Sequence, residues 1–482
     1  MNSSKTIVEG YLKKENWRVK ENSNSPYSYG GLGKHMIAEI SKDYWLREVY
    51  PSNIAEKYVS GDMHIHDLGG LTLYCCGFSL KNIITMGVQG VSNIPTSAPA
   101  NHFDSILNQI ANLITVYQNE IMGAVAFSSF DTLLAPFIKN DELTYKQVKQ
   151  AMQNFIFSIN SNSRGGAEPA FSNITMDLTA PNDLVDKYAL IGSGLLDFKY
   201  KECQREMDML NRAFCELMIK GDAKGEPFSY PIPTYNIHDR FDWDNPNNNL
   251  LWEMCGKYGY PYFANFLNGD MKPEDARSMC CRLRLDLKEL KKRNGGLFGS
   301  GDSTGSIGVV TINAPRLGYK NKGNKTSFYN ALDVVLVAAK DSLEIKREWL
   351  QKNVIDTRLI PAFNTYVGTM RNHFSTIGIV GLNEMCENFF GEGANILTEE
   401  GKNFAVEVGI HIRNKLLEFQ QETGNLYNYE ASPAESTAYR LAQKDRKEFE
   451  DIITRGTKKA PYYTNSCHIP VALIKEIGRA HV

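Results

Sequence analysis

The chain has 482 residues, 42% hydrophobic and 22% charged, which is the composition of a soluble globular protein with its own core. A formal net charge of −2 excludes the basic footprint of a protein that grips long nucleic acid, but a single nucleotide held by a few local groups remains open. There is no apolar run of about eighteen residues and Met1-Asn2-Ser3-Ser4-Lys5 leads into a polar segment, so neither a membrane span nor a secretory signal is expected.

Taken from the N-terminus, the first notable stretch is His64-Ile65-His66-Asp67. Alternate spacing turns two imidazoles to one side of a strand. A metal site would need a third ligand, so a hydrogen-bonded cluster is the expectation, with no metal bound. Leu73-Tyr74-Cys75-Cys76-Gly77 follows directly. Apolar residues at three and four spacing predict helices over 104–124, about 145–160, 203–219, 327–350, 397–421 and 436–454. Short β-like runs lie between them at 171–176, 308–313 and 375–381. A second vicinal pair, Cys280-Cys281, sits within Ser278-Met279-Cys280-Cys281-Arg282-Leu283. After it, Asn294 to Ser306 holds five glycines in thirteen residues and reads as a loop or turn. Tyr319 to Lys325 reads as an exposed connection.

Short apolar strands alternating with long helices predict parallel β/α units. The length allows two domains or one large α/β barrel, and the absence of an interdomain linker favours one body. No repeat of about 20 to 50 residues is evident. Nine cysteines with no C-x-x-C spacing suit neither a disulfide framework nor a zinc ribbon, so reduced thiols in a cytoplasm are expected.

Two cysteine frames more than two hundred residues apart suggest sulfur chemistry converging on one pocket. Buried cysteines are also ordinary small hydrophobes, and for any anonymous pair that reading has about equal weight. In Tyr429-Glu430-Ala431-Ser432-Pro433-Ala434-Glu435-Ser436-Thr437-Ala438, Ser432 is placed to cap a helix, Pro433 suits its first position and Glu435 falls three residues after the cap. A well-capped helix explains that segment completely. The same helix start would offer amides and hydroxyls to a phosphate.

The set Gly61-Asp62-Met63-His64-Ile65-His66-Asp67, Tyr74-Cys75 with Gly77, Met279 with Cys281-Arg282, Gly308-Val309-Val310-Thr311-Ile312-Asn313 with Pro315-Arg316, Gly378-Ile379-Val380-Gly381-Leu382-Asn383-Glu384 and Glu430 to Ser436 occurs in that order. It resembles the anaerobic (class III) ribonucleoside-triphosphate reductases, a glycyl-radical enzyme family, from about Trp17 to Val471. The resemblance implies a ten-stranded α/β barrel of two parallel five-stranded half-sheets, surrounded by helices, with a finger loop through its centre. It implies that Cys281 at the finger tip becomes a thiyl radical beside Met279, and that Cys75 donates hydrogen from the opposite face. It implies further that Ser432, Ala434, Glu435, Ser436 and Thr437 hold substrate phosphates, with His66 and Asn313 among the substrate-binding residues. A barrel interior that excludes water and fixes the abstracting sulfur suits such chemistry.

The family also implies ribonucleoside triphosphates as substrates, deoxynucleotide and ATP effectors, and a homodimer. It implies an activating enzyme that uses S-adenosylmethionine and a 4Fe-4S cluster. The reductant is either formate or a thioredoxin- or glutaredoxin-like dithiol protein. No asparagine occurs from Ser300 to Ile307, where formate-using members carry one. A dithiol, or an auxiliary thiol such as Cys76 or Cys280, is therefore the expected reductant.

On this reading, residues 1–471 form an incomplete catalytic barrel and 472–482 a non-native tail, since Glu476 to Val482 reads like a translated sequencing adapter. The glycyl-radical domain with its structural zinc, and the ATP-cone, are expected to be absent, leaving the isolated chain inactive. A pyruvate formate-lyase-like acyltransferase is the enzymatic alternative, but there both thiols of one pair act together. A catalytically silent nucleotide-binding module is the alternative of a different kind.

Overall fold

The computed structural model describes residues 3–14, 27–91, 95–161, 168–267, 304–432 and 434–470. Met279, Cys280 and Cys281, most of the glycine-rich stretch before residue 304, and the 472–482 segment lie outside the described residues. The chain forms two compact units. The first comprises residues 1–39, 72–305 and 351–372, the second residues 40–71, 306–350 and 373–482. Among the described residues nine strands build their main sheets: β1 (Met63–Ile65), β2 (Cys75–Phe78), β3 (Val125–Phe127), β4 (Ser172–Met176), β5 (Ile232–Ile237), β6 (Tyr262–Asn265), β7 (Gly305–Asn313), β8 (His373–Val380) and β9 (Leu426–Glu430). The class is mixed α/β, as expected.

In the first unit, β2 to β6 lie side by side in chain order and every neighbouring pair is parallel. This matches the five-stranded parallel half-sheet that the resemblance implies. The register aligns Gly77 with Ala126, Asn173 and Ile232. Side chains alternate between faces, so this register fixes what each face carries. One face holds Cys76, Phe78, Phe127, Ile174 and Tyr235 and is packed by helices. Phe78 stacks on Tyr117 of the Phe103–Tyr117 helix at 3.6 Å, and the Tyr235 hydroxyl meets Cys215 of the Gln204–Lys220 helix at 3.6 Å. The other face carries Cys75, Gly77, Ala126, Asn173, Thr175, Thr234 and Asn236, with Ile232 and Tyr262. Both faces are largely buried, and the second is the more polar.

The predicted 104–124 helix stops at Tyr117. Ile121 and Met122 continue its apolar rhythm, but only the Ile121 N–H keeps a helical bond, to Tyr117 O at 3.0 Å. Met122 N–H donates to Leu73 O at 3.0 Å and Gly123 N–H to Tyr74 O at 2.5 Å, extending the β2–β3 ladder backwards. The Glu120 carboxylate meanwhile accepts the Ala362 and Phe363 amides, each at 2.9 Å, at the start of the Pro361–Tyr366 helix. The predicted 145–160 helix is observed as Tyr145–Ile159, and 203–219 as Gln204–Lys220.

In the second unit, β7 neighbours β8, β8 pairs parallel with β9, and β1 lies antiparallel on β7. Among the described residues this sheet is therefore not an all-parallel set of five. Val310, Ile312, Ile377, Ile379 and Tyr427 form its core face, covered by the Lys325–Leu350, Leu382–Phe390 and Glu399–Thr423 helices. The opposite face carries Thr311, Thr376, Gly378, Asn428 and Glu430. The predicted 436–454 helix is Glu435–Glu448; Phe449 turns extended and lies under Arg316, its ring 5.2 Å from the guanidinium carbon. The connection expected at 319–325 is partly helical, since Ala314–Lys320 takes its first two residues. Among the described residues no helix is long and apolar enough to cross a membrane.

Candidate active site

Strand alternation separates the first cysteine pair. Cys76 points to the helix-covered face, fully buried, and burial followed by the Glu120 charge pushes its thiol well above the usual range. Its Sγ donates to Gly77 O at 3.4 Å. Cys75 points to the more polar face and is 4% exposed. Its sulfur accepts the Ala124 N–H at 3.3 Å. A Cβ at Gly123 would stand 2.7 Å from that sulfur and 2.8 Å from Tyr74 O, so only glycine fits there. The two adjacent thiols are not a dithiol presented to one ligand.

In the second unit, β1 brings the two histidines together, their rings edge-on at 4.7 Å. Thr311 Oγ1 donates to Ser432 Oγ at 3.2 Å, so its 2.8 Å contact with His66 Nε2 must be an acceptance from a protonated Nε2. His66 is partly buried. Burial, then the charges of Lys346 and Arg440, lowers its pKa to about 4, so the ring is neutral near pH 7. Arg440 Nη1 reaches His64 Nδ1 at 3.2 Å; arginine can only donate, so His64 accepts. The expected hydrogen-bonded cluster is present. Lys346, 2% exposed, and Arg440 give the neighbourhood a positive potential.

Ser432 is not the helix cap. Ala434 occupies the cap position without a side-chain bond, and the helix begins at Glu435. The reason is that Ser432 is spent elsewhere: its hydroxyl accepts from Thr311, and its carbonyl accepts from Ser466 Oγ at 3.2 Å. The Ala434 N–H donates instead to Asn465 Oδ1 at 3.1 Å. Ser432, Ala434 and Thr437 are buried while Ser436 is exposed. Gly378 lies against Ser432, where a Cβ would stand 1.9 Å from the hydroxyl oxygen.

Asn313 is engaged structurally. It accepts the Arg316 N–H at 3.3 Å and donates to Gly61 O and Asp445 Oδ2, each at 2.8 Å. A substrate-binding role finds little spare hydrogen-bonding capacity there. Arg316, 1% exposed, donates to Asp445 at 2.7 Å and to Glu448, and so fixes the Glu435–Glu448 helix against the end of β7. Glu384 of the Gly378–Glu384 motif accepts from the Thr464 amide at 2.9 Å and hydroxyl at 2.8 Å, holding the segment that carries Asn465.

The sequence reading missed three residues. Thr311 links His66 to Ser432. Asn428 accepts from Thr376 at 2.8 Å, and its buried Nδ2 has no hydrogen-bond partner. Asn465 caps the helix start. Only Thr311 had a legible signal, a polar residue alternating with the apolar Val310 and Ile312.

A sequence model described as anaerobic ribonucleoside-triphosphate reductase matches residues 21–479. The anaerobic ribonucleoside-triphosphate reductases of Haemophilus influenzae and Escherichia coli are each 22% identical over 96% of this chain, covering 68% and 67% of their own lengths. The anaerobic ribonucleotide reductase of Thermotoga maritima, solved with dATP in its specificity site, superposes with a TM-score of 0.71 at 20% identity over 92% of this chain and 75% of that one. The same enzyme with MES in its active site gives 0.73 at 19% identity over 97% and 77%. The fold is thus that of a ribonucleotide reductase. The chain belongs to the anaerobic ribonucleoside-triphosphate reductase family, as the ordered motifs imply, and is an oxidoreductase. The acyltransferase alternative is not favoured.

Proposed function

We propose that this protein reduces ribonucleoside triphosphates to their 2′-deoxy forms at a site where Cys75 faces the ribose. In this reading Cys281, as a thiyl radical, takes the 3′ hydrogen while Met279 lies beside it. Cys75 returns hydrogen at the 2′ carbon as the 2′ oxygen departs as water. One C–O bond breaks and one C–H bond forms. The two electrons and two protons come from a dithiol, which becomes a disulfide, or from formate, which becomes carbon dioxide. A glycyl radical made by a radical S-adenosylmethionine activase supplies the oxidising equivalent.

The observation that carries the reading is the placement of Cys75: a buried sulfur, held by the Ala124 amide, on the sheet face that also carries Gly77, Ala126, Asn173, Thr175, Thr234 and Asn236. A hydrogen-atom donor needs that fixed geometry and shelter from water. The positive potential of Lys346 and Arg440 around His66 suits substrate phosphates at the Ser432 to Thr437 segment, and Asn428 offers an unpaired donor on the second unit's face that carries Thr311 and Thr376. Closure of the strands into a ten-stranded barrel around Cys281, homodimer formation, deoxynucleotide and ATP effectors, the structural zinc of the family and a cytoplasmic setting belong to the same proposal.

The test is anaerobic turnover of CTP by the activated full-length protein. Cys75→Ser and Cys281→Ser should each abolish dCTP formation while the radical signal of the activated enzyme persists; Cys76→Ser should keep turnover. Full activity of Cys75→Ser defeats the assignment.

A further inference from the structure

The face of the first sheet that carries Cys75 also carries a buried acceptor that the chemistry just described does not use. Asn173, on β4, is 2% exposed. Its Nδ2 donates to the Ile232 carbonyl at 2.8 Å and to Thr234 Oγ1 at 3.0 Å. A carbonyl accepts and never donates, so the bond to Ile232 fixes the orientation of the amide. Oδ1 must then be the other terminal atom, and it is buried with no hydrogen-bond partner. An unpaired buried acceptor costs about 1–3 kcal/mol, so such an atom calls for a ligand or a structural reason. None of its strand neighbours supplies one: Gly77 and Ala126, level with it in the register, have no polar side chain.

The register also gives the distance. Asn173 is two strands from β2 and level with Gly77, two residues beyond Cys75. Two strand spacings and two residues of rise separate the Cα atoms by about 12 Å. That exceeds the span of a ribose but not that of a nucleoside. If Cys75 faces the ribose, as proposed above, the group reaching Asn173 is the base or a phosphate. A phosphate is itself an acceptor and has nothing to give to Oδ1. A base edge carries N–H donors.

We propose that Asn173 is a base-contact residue: its Oδ1 accepts a hydrogen bond from an N–H of the nucleobase of the bound ribonucleoside triphosphate. Thr234 holds the amide in the orientation that aims Oδ1 at the base. This rests on the Cys75 reading only for where the ribose lies.

The experiment measures equilibrium binding of CTP, and of the pyrimidin-2-one ribonucleoside triphosphate that lacks the 4-amino group, to the full-length protein under anaerobic conditions. Wild type should bind CTP about three- to tenfold more tightly, the range expected of one neutral hydrogen bond. Asn173→Ala should bind the two ligands equally, with the CTP affinity falling to that of the analogue. A wild-type ratio near one overturns the proposal, and so does a ratio left unchanged in Asn173→Ala. If Asn173→Ala does not fold by thermal melting, the wild-type ratio alone decides. Turnover by Cys75→Ser, run alongside, separates the two ideas: if it remains active, the Cys75 assignment fails, whereas the binding ratio still judges Asn173.

Discussion

Gly378→Ala probes the packing on which the Ser432 segment depends. The added methyl would lie 1.9 Å from Ser432 Oγ, 3.2 Å from Ser432 Cβ and 3.1 Å from Glu430 O. The first clash is relieved if the hydroxyl rotates, but rotation gives up the bond from Thr311, worth about 1 kcal/mol. The other two approaches survive rotation and require β8 and β9 to shift, an overpacking cost of about 1–3 kcal/mol. The expected destabilisation is about 2–4 kcal/mol, read as a lower urea midpoint at unchanged slope. Ser432→Ala alone should cost about 1 kcal/mol. Because both changes act on one hydroxyl, Gly378→Ala with Ser432→Ala should cost less than the sum by about 1 kcal/mol or more. A Gly378→Ala midpoint indistinguishable from wild type, or strict additivity of the pair, would show that the close approach does not constrain the segment.

Two further outcomes follow from buried titratable groups. His66 titrates at about 4 in the folded protein against 6.5 ordinarily. Below pH 6.5 the unfolded chain therefore binds a proton that the folded protein refuses, and stability falls as pH drops from 6.5 towards 4. The loss is about 2–3 kcal/mol after allowance for partial exposure; His66→Gln should abolish that part of the pH dependence in unfolding midpoints taken at pH 7 and pH 4.5, and equal slopes for the two proteins would contradict it. In the first unit, burial and then Asp177 raise Asp131 to about 6, which by itself would favour a neutral substitute. Yet its two oxygens accept four donors, the amides of Thr132, Asp177 and Leu178 and the Asn211 side chain, at 2.8–2.9 Å. Asp131→Asn would aim an NH2 at two of them, so thermal melting should report a loss of about 2–4 kcal/mol; a stabilised variant would show that charge outweighs hydrogen bonding there.

Much of the architecture was legible because periodicity and burial agree. The helices at 145–160, 203–219, 327–350 and 397–421, and the strands at 171–176, 308–313 and 375–381, are found within a few residues of their expected ends. The failures have a common cause, competition for backbone groups by residues distant in sequence. Met122 extends a helical rhythm but is drawn, with Gly123, into a ladder with Leu73 and Tyr74. Ser432 has the composition of a helix cap, yet Thr311 and Ser466 occupy its hydroxyl and carbonyl. Asn313, which the resemblance alone implies to bind substrate, is held by Gly61, Asp445 and Arg316. The frame around Cys75 singled it out, and the structure buries its sulfur against the Ala124 amide. Asn173 was not legible, since only the pairing of β4 with β3 and β5 reveals that it shares a face with Cys75.

The acceptor for the Ala434 amide comes from Asn465, thirty-one residues further along. A ribosome making this protein therefore exposes the Glu435–Glu448 helix well before its finishing piece exists. Until the polypeptide has grown past that asparagine, the turn around Ser432 lacks both its cap and the Ser466 clasp, and a nascent chain halted there would leave the Ala434 amide without its acceptor.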